Sequence, residues 1–173
     1  MSNPRRDLSS AAIARLDPSH DRQSFDCGNL TLNRYLTSIA TQDLKRGLAV
    51  PYVLTLAPAK DVIGYFTLSA TSIDHSELPA PVRRRLPAGV VIGASLLGRL
   101  AVDRRYQGEG LAGLMVVAAA KLSFTQSPLG CVAMIVDAID SAAAEFYQHL
   151  GFIKAPEGPR RLFLLRESLA KLL

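Results

Sequence analysis

No stretch of this sequence approaches the roughly 18 to 20 consecutive apolar residues that a helix needs to cross a bilayer. The N-terminus, MSNPRRDLSSAA, is polar and has no apolar run of the secretory kind, so a cytoplasmic protein with no membrane partner is expected. Cysteine is scarce: Cys27 and Cys131 stand far apart, match neither zinc nor redox spacing, and are expected as free thiols. His20, His75 and His149 are scattered without ligand spacing, so no metal is predicted. Internal repeats and low-complexity tracts are absent.

What is present suits a globule. At 173 residues, 49% hydrophobic and 20% charged, the chain is expected to form one domain over 1–173. The formal net charge is +5. The excess sits in short clusters: Arg5-Arg6, Lys45-Arg46, Arg83-Arg84-Arg85, Arg104-Arg105 and Arg160-Arg161. Such a surface favours a polyanion such as nucleic acid, or an acidic protein partner. Ordinary solvation also accounts for any single cluster.

Residues 11–17 read as a first strand. From Asn29 onward, Leu32, Tyr35, Leu36, Ile39, Ala40 and Leu44 recur at helical spacing, with Asn29 as N-cap and Gly47 as stop. Runs 50–56 and 62–73 flank Pro58-Ala59-Lys60-Asp61 and predict an antiparallel hairpin. Segment 75–89, rich in proline and arginine, predicts a short helix or loop at the surface. Run 90–103 predicts a central strand buried on both faces. A helix over 111–124, a buried strand over 131–138, a short helix over 141–152 and an edge strand over 161–167 complete an α+β arrangement.

The informative stretch is LGRLAVDRRYQGEGLAGLM, 97–115. An apolar strand enters Arg105-Tyr106-Gln107-Gly108-Glu109-Gly110, and an apolar helix leaves at once. Glycines at 108 and 110 permit a tight turn whose N–H groups join those of the helix start in an anion cradle suited to a pyrophosphate. The spacing Gly108-x-Gly110-x-x-Gly113 also fits the dinucleotide fingerprint. That reading is disfavoured because the turn lies past the midpoint, behind hairpin-like strands, with too little chain after it. A turn using glycine only for positive φ is the plain alternative.

Arg105-x-x-Gly108-x-Gly110 after a strand resembles the acetyl-CoA signature, Gln/Arg-x-x-Gly-x-Gly/Ala, of the GNAT superfamily of N-acetyltransferases. Phe146-Tyr147 ahead of Leu150-Gly151-Phe152 is similar to the downstream helix of that superfamily. The chain further resembles the toxin subgroup of type II toxin–antitoxin pairs, the TacT- and AtaT-like acetyltransferases. Phe25-Asp26-Cys27-Gly28, Leu32-Asn33-x-Tyr35-Leu36, Ile63-Gly64-Tyr65-Phe66-Thr67-Leu68-Ser69 and Leu97-Gly98-Arg99-Leu100-Ala101-Val102 carry that closer likeness, over almost the whole chain.

The resemblance implies a mostly antiparallel twisted sheet, splayed at the acetyl-CoA site and flanked by helices. It implies that Leu100, Ala101 and Val102 hold pantetheine through the backbone, with the Val102 N–H as oxyanion donor. Arg105 opens the signature, and Gln107, Gly108, Glu109, Gly110, Leu111, Ala112 and Gly113 take the pyrophosphate. Ser141 and Phe146 are assigned further cofactor contacts. Tyr147 matches the acid that protonates the departing thiolate.

Three positions depart from the pattern. Glu109 places a negative charge in the phosphate turn, Ala112 replaces a frequent glycine, and Ser141 stands where many relatives carry asparagine. Cys27 has no histidine in sequence context to support a thiolate and reads as a small packed residue.

No general base stands out. An α-amine, titrating at about 8, is substantially neutral at cellular pH, whereas a lysine amine near about 10.4 is not. The subgroup acetylates the α-amine of aminoacyl-tRNA. Lys45, Arg46, Arg83, Arg84 and Arg85 are the candidate tRNA contacts, and a homodimer and a DNA-binding antitoxin the implied partners. A GNAT enzyme acting on a small amine, protein N-terminus or lysine is the alternative, and a non-catalytic module binding an acidic partner the third reading.

Overall fold

The computed structural model describes residues 7–158 and 160–173, so the Arg5-Arg6 cluster lies outside the described residues. In chain order the elements are β1 (Ala11–Arg15), α1 (Leu30–Arg34), a π-helical turn (Tyr35–Ile39), α2 (Ala40–Arg46), β2 (Val50–Leu56) and β3 (Gly64–Ile73). A 3-10 turn (His75–Glu77), α3 (Ala80–Arg83), β4 (Ile92–Val102), a second 3-10 turn (Arg104–Tyr106) and α4 (Leu111–Phe124) follow. The chain ends with β5 (Ala133–Asp137), α5 (Ser141–His149), β6 (Ile153–Lys154), β7 (Arg161–Leu165), a last 3-10 turn (Arg166–Ser168) and α6 (Leu169–Leu172). The hydrogen-bonded strand order is β1-β2-β3-β4-β5-β7-β6. Pairs β1–β2, β2–β3, β5–β7 and β6–β7 are antiparallel, while β4–β5 is parallel. This is the mixed, mostly antiparallel α+β architecture the sequence implies.

Two compact units divide the chain. The first comprises Met1–Leu68 and Arg99–Ala118, the second Ser69–Gly98 and Ala119–Leu173.

In the first unit the Asn29 side chain accepts hydrogen bonds from the Thr31 and Leu32 N–H groups, at 3.0 and 3.2 Å. Those bonds satisfy donors that a helix start leaves without partners. Gly47 closes the segment at φ 71°, a left-handed conformation that glycine adopts without a Cβ penalty. Between these caps the helix is not uniform. The π turn at Tyr35–Ile39 shifts the helical phase, which leaves Ile39 38% exposed although its spacing predicts burial. Tyr35, Leu36, Tyr65, Phe25 and Ala101 pack in one buried cluster. The Tyr65 hydroxyl donates to the Leu32 carbonyl at 2.8 Å, and Tyr35 donates to Asp43 Oδ2 at 3.0 Å. Both buried phenols thus hold partners.

The second unit buries Ile73, Leu78, Ile92, Ala133, Ile135 and Phe163 together. Arg161 binds both Asp137 carboxylate oxygens, at 2.7 and 2.9 Å, and reaches Glu77 at 3.2 Å. Here two strand expectations need correcting. Segment 161–165 is not an edge: Ile153 and Lys154 pair with Phe163 and Leu162, so β6 is outermost. Leu162, Phe163 and Leu164 are all buried, so both faces of this strand are covered.

β4 is not buried on both faces either, for only Ile92, Ala94, Leu97 and Ala101 are buried along its eleven residues. Its ladder to β5 pairs Ala94, Ser95 and Leu96 with Ala133, Met134 and Ile135 and then stops. β5 itself runs on to Asp137, and β4 to Val102.

Candidate active site

The first unit carries the glycine-rich turn. Asp103 follows β4 directly with 1% exposure, and its carboxylate collects four donors. Arg105 supplies its backbone N–H (3.0 Å), Nε (2.8 Å) and an η-nitrogen (3.0 Å), and the Asp26 N–H supplies the fourth at 3.1 Å. Burial works to raise the Asp103 pKa, but these hydrogen bonds and the Arg105 charge outweigh it and hold the carboxylate below its usual range. The Arg104 N–H donates to the Asp26 carbonyl at 2.8 Å, so segment 25–28 is tied directly to the turn.

Sequence reasoning did not single out Asp103. Its signal is an acidic residue closing an apolar strand two positions before an arginine, an Asx-turn pattern.

Asp103→Ala takes the Asp103 carboxylate away from the Arg105 side chain and from two backbone donors. It is expected to lower stability by about 3 kcal/mol, or about 6–12 °C in thermal midpoint for a chain of this size. Because its pKa is depressed on folding, the contribution is present above the unfolded value of about 4 and is lost as pH falls through the folded value. Thermal melts of both proteins from pH 7 down to pH 3 check this: the gap between them should close on acidification.

Gln107 braces the turn, its side-chain amide donating to the Val102 carbonyl at 2.9 Å and the Cys27 carbonyl at 3.1 Å. Beyond it Gly108 and Gly110 have φ of 81° and 80°. A Cβ at either would be strained, yet it would meet no atom within 4 Å. The turn is therefore open: Gln107, Gly108 and Gly110 are exposed, and Glu109 is half-buried. Leu111, Ala112 and Gly113 head the 14-residue α4 with N–H groups that no preceding carbonyl of that helix can accept. A side-chain-free cradle of donors at a helix start suits a diphosphate.

The Asp103 N–H donates to the Ile63 carbonyl at 2.8 Å. Successive N–H groups along a strand point to opposite edges, so the Val102 N–H points away from β3. Leu100 and Val102 are half-buried, and Ala101 is buried. Cys27 is half-buried, and burial pushes its thiol pKa up, the opposite of what a nucleophile needs.

The second unit holds Tyr147 on α5. Its ring is buried in edge-to-face contact with Phe146 and Phe152, at centroid distances of 5.1 and 5.2 Å. Burial raises its pKa to about 12. The hydroxyl makes no hydrogen bond among the described residues, and it is not among their sealed, unpartnered polar atoms, where Ser95 Oγ stands alone. A buried ring thus carries a protonated hydroxyl that remains open at its tip. Ser141 is exposed at the start of α5, whose N-cap Asp140 accepts from the Ala143 N–H at 2.7 Å.

Of the basic candidates, Lys45 and Arg46 are exposed at the end of α2 in the first unit. Arg83 is half-buried, and Arg84 and Arg85 are exposed in the second. Arg85 is already paired with Glu167 at 3.0 Å. It also borders a cavity of ≈ 770 Å³ lined by Val82, Leu86, Ile92, Val132 and Leu165, which contains none of the turn's residues. Among the described residues no helix is long and apolar enough to cross a membrane, and no cluster of three His, Cys, Asp or Glu could hold a metal ion.

The Acetyltransferase (GNAT) domain family matches residues 53–154, more than half of the chain. A tRNA-acetylating toxin of Mycobacterium tuberculosis is 33% identical over 159 residues, covering 91% of this chain and 93% of that protein. The structure of AtaT complexed with acetyl-methionyl-tRNAfMet superposes with a TM-score of 0.86 at 32% identity, covering 94% of this chain and 98% of that one. A tyrosine-to-phenylalanine mutant of the AtaT toxin, bound to the C-terminus of the antitoxin AtaR and acetyl-CoA, has a TM-score of 0.78 at 30% identity, with 94% and 98% covered.

Proposed function

The chain belongs to the GNAT acetyltransferase domain family, and from that premise we propose that it moves the acetyl group of acetyl-CoA onto the α-amine of aminoacyl-tRNA, as a toxin that blocks translation. The observation that carries the donor half is the open turn 107–113 at the head of α4, with its glycines at positive φ and no side chain across it. It fits the diphosphate of CoA, a substrate that supplies the activated thioester. Gly108 and Gly110 let the backbone approach, and the N–H groups of 110–113 donate to phosphate oxygens. Arg105 and Gln107 act by bracing, since their side chains are committed to Asp103 and to the Val102 and Cys27 carbonyls. Glu109 is taken to point away from the phosphates.

Pantetheine lies along Leu100, Ala101 and Val102. The Val102 N–H, directed away from β3, donates to the thioester oxygen as negative charge develops there. The Tyr147 hydroxyl donates to the departing sulfur, while Ser141 and Phe146 flank the pantetheine arm. An acceptor amine that titrates at about 8 attacks as the free base without a dedicated protein base. Residues 1–173 work as one acetyltransferase domain, consistent with a family match whose residues come from both units.

The acceptor half rests on the tRNA-acetylating relative and the tRNA-bound neighbour, together with the basic residues Lys45 and Arg46 of the first unit and Arg83, Arg84 and Arg85 of the second. The protein acts in the cytoplasm as a homodimer and is neutralised by a DNA-binding antitoxin that covers it with a C-terminal segment, as the AtaT neighbour is bound by AtaR. Incubation with radiolabelled acetyl-CoA and either charged or deacylated tRNA tests the reaction. Label should pass to the charged tRNA alone; equal labelling of deacylated tRNA or of free lysine would refute the acceptor.

A further inference from the structure

Arg99 sits on β4 three residues before Val102, and the turn chemistry above gives it no task. Its guanidinium lies 3.7 Å from the centroid of the Tyr35 ring. Among the described residues it makes no hydrogen bond and no ion pair. Three other arginines of the unit are engaged: Arg104 with Asp26, Arg105 with Asp103, and Arg22 with the Leu36 carbonyl and Thr41. Asp43, the carboxylate at the hydroxyl end of that ring, accepts from the Tyr35 hydroxyl instead.

A guanidinium is planar and always charged, with five donors in a fixed fork. Here one face is covered by an aromatic ring, which fixes its orientation, and its donors meet no acceptor among the described residues. A half-buried cation of this kind is prepared for an anion. The ring beneath it is itself fixed, because Tyr35 is 1% exposed and begins the π turn of the helix.

We infer that Arg99, seated on Tyr35, binds the phosphate of the acceptor's terminal nucleotide and thereby positions its α-amine at the Val102 end of β4. The inference rests on the aminoacyl-tRNA reading and extends it by naming the group that grips the acceptor. The distances agree. Three residues of strand span about 10 Å. The eight covalent bonds from an aminoacyl α-amine through the ester and ribose to the 5′ phosphorus extend to about the same length. An amine beside Val102 therefore leaves its phosphate within reach of the Arg99 fork. The fork also gives a reason for the π turn, which turns Tyr35 inward under the cation while the helix continues to its Gly47 stop.

The test is Arg99→Gln against Arg99→Lys and wild type, with charged tRNA as acceptor, measured from about 50 to 200 mM salt. Arg99→Gln should raise KM for charged tRNA about tenfold, and should shallow the slope of log affinity against log salt by about 0.7, one single-strand phosphate contact. Its kcat, acetyl-CoA affinity and thermal midpoint should stay near wild type. Arg99→Lys should restore the salt slope, since the charge returns, while recovering only part of the KM.

An unchanged slope in Arg99→Gln overturns the inference and leaves the acetylation reaction standing. A fall in acetyl-CoA affinity or thermal midpoint that matches the loss of activity assigns Arg99 a structural role and overturns it too. If wild type fails to acetylate charged tRNA, the acceptor reading itself falls and takes this inference with it.

Discussion

Tyr147→Phe should lower kcat on charged tRNA by about 10²- to 10³-fold, the range expected for removal of a positioned proton donor. Acetyl-CoA affinity and thermal midpoint should not change. The reason is that the hydroxyl makes no hydrogen bond among the described residues, so its loss leaves no partner stranded, and phenylalanine keeps the contacts to Phe146 and Phe152.

The raised pKa of about 12 sharpens the expectation. A thiol at about 8.5 is a stronger acid than this phenol, so complete transfer to a solvated thiolate would be uphill by several units. Any desolvation of the sulfur as it departs raises its pKa and narrows the mismatch. Tyr147 stays protonated throughout the working range. Turnover should therefore rise with pH through the amine's titration at about 8 and then level off, with no descending limb below about pH 10. A descending limb centred near about 9 would mean that a different acid serves the reaction, and so would normal turnover in Tyr147→Phe.

Gly110→Val should weaken acetyl-CoA binding at least about 100-fold. That is the equivalent of two charge-assisted hydrogen bonds of about 1.5 kcal/mol each, lost as the isopropyl group takes the space now open at the turn. The left-handed φ of 80° adds backbone strain of about 1–3 kcal/mol, visible as a fall of about 2–12 °C in thermal midpoint. Gly47→Val supplies the control, at a site remote in sequence from the turn. Gly47 also has a left-handed φ, of 71°, and a Cβ there would likewise meet nothing within 4 Å. Strain alone would weaken acetyl-CoA binding equally in both variants. A specific role for the turn predicts that only Gly110→Val loses the ligand, by calorimetric titration.

Much of this is legible in the residues, for identifiable reasons. Helix 111–124 can be read to the residue because a glycine-rich turn and an apolar run mark its start. Asn29 and Gly47 declare themselves because capping is local chemistry. The turn itself is visible because glycine at 108 and 110 has a backbone meaning that few other residues can supply.

What escapes depends on contacts distant in sequence. Asp103 is only the last residue of run 90–103 until Asp26, 77 residues away, donates to it. The π turn leaves no mark in a 3.6-residue pattern, so spacing alone puts Ile39 on the buried face. Segment 161–165 looks like an edge because β6 has only two residues, too few to register as a strand. Where the β4–β5 ladder stops is set by partners distant in sequence, and local composition carries no trace of it.

One measurement reaches the central claim directly. Charged tRNA is incubated with the protein and labelled acetyl-CoA, the ester is cleaved with mild base, and the released amino acid is identified by mass. The account predicts an N-acetyl amino acid carrying the label on its α-nitrogen. Unmodified amino acid, with the label recovered on the nucleotides or on protein lysines, would contradict it.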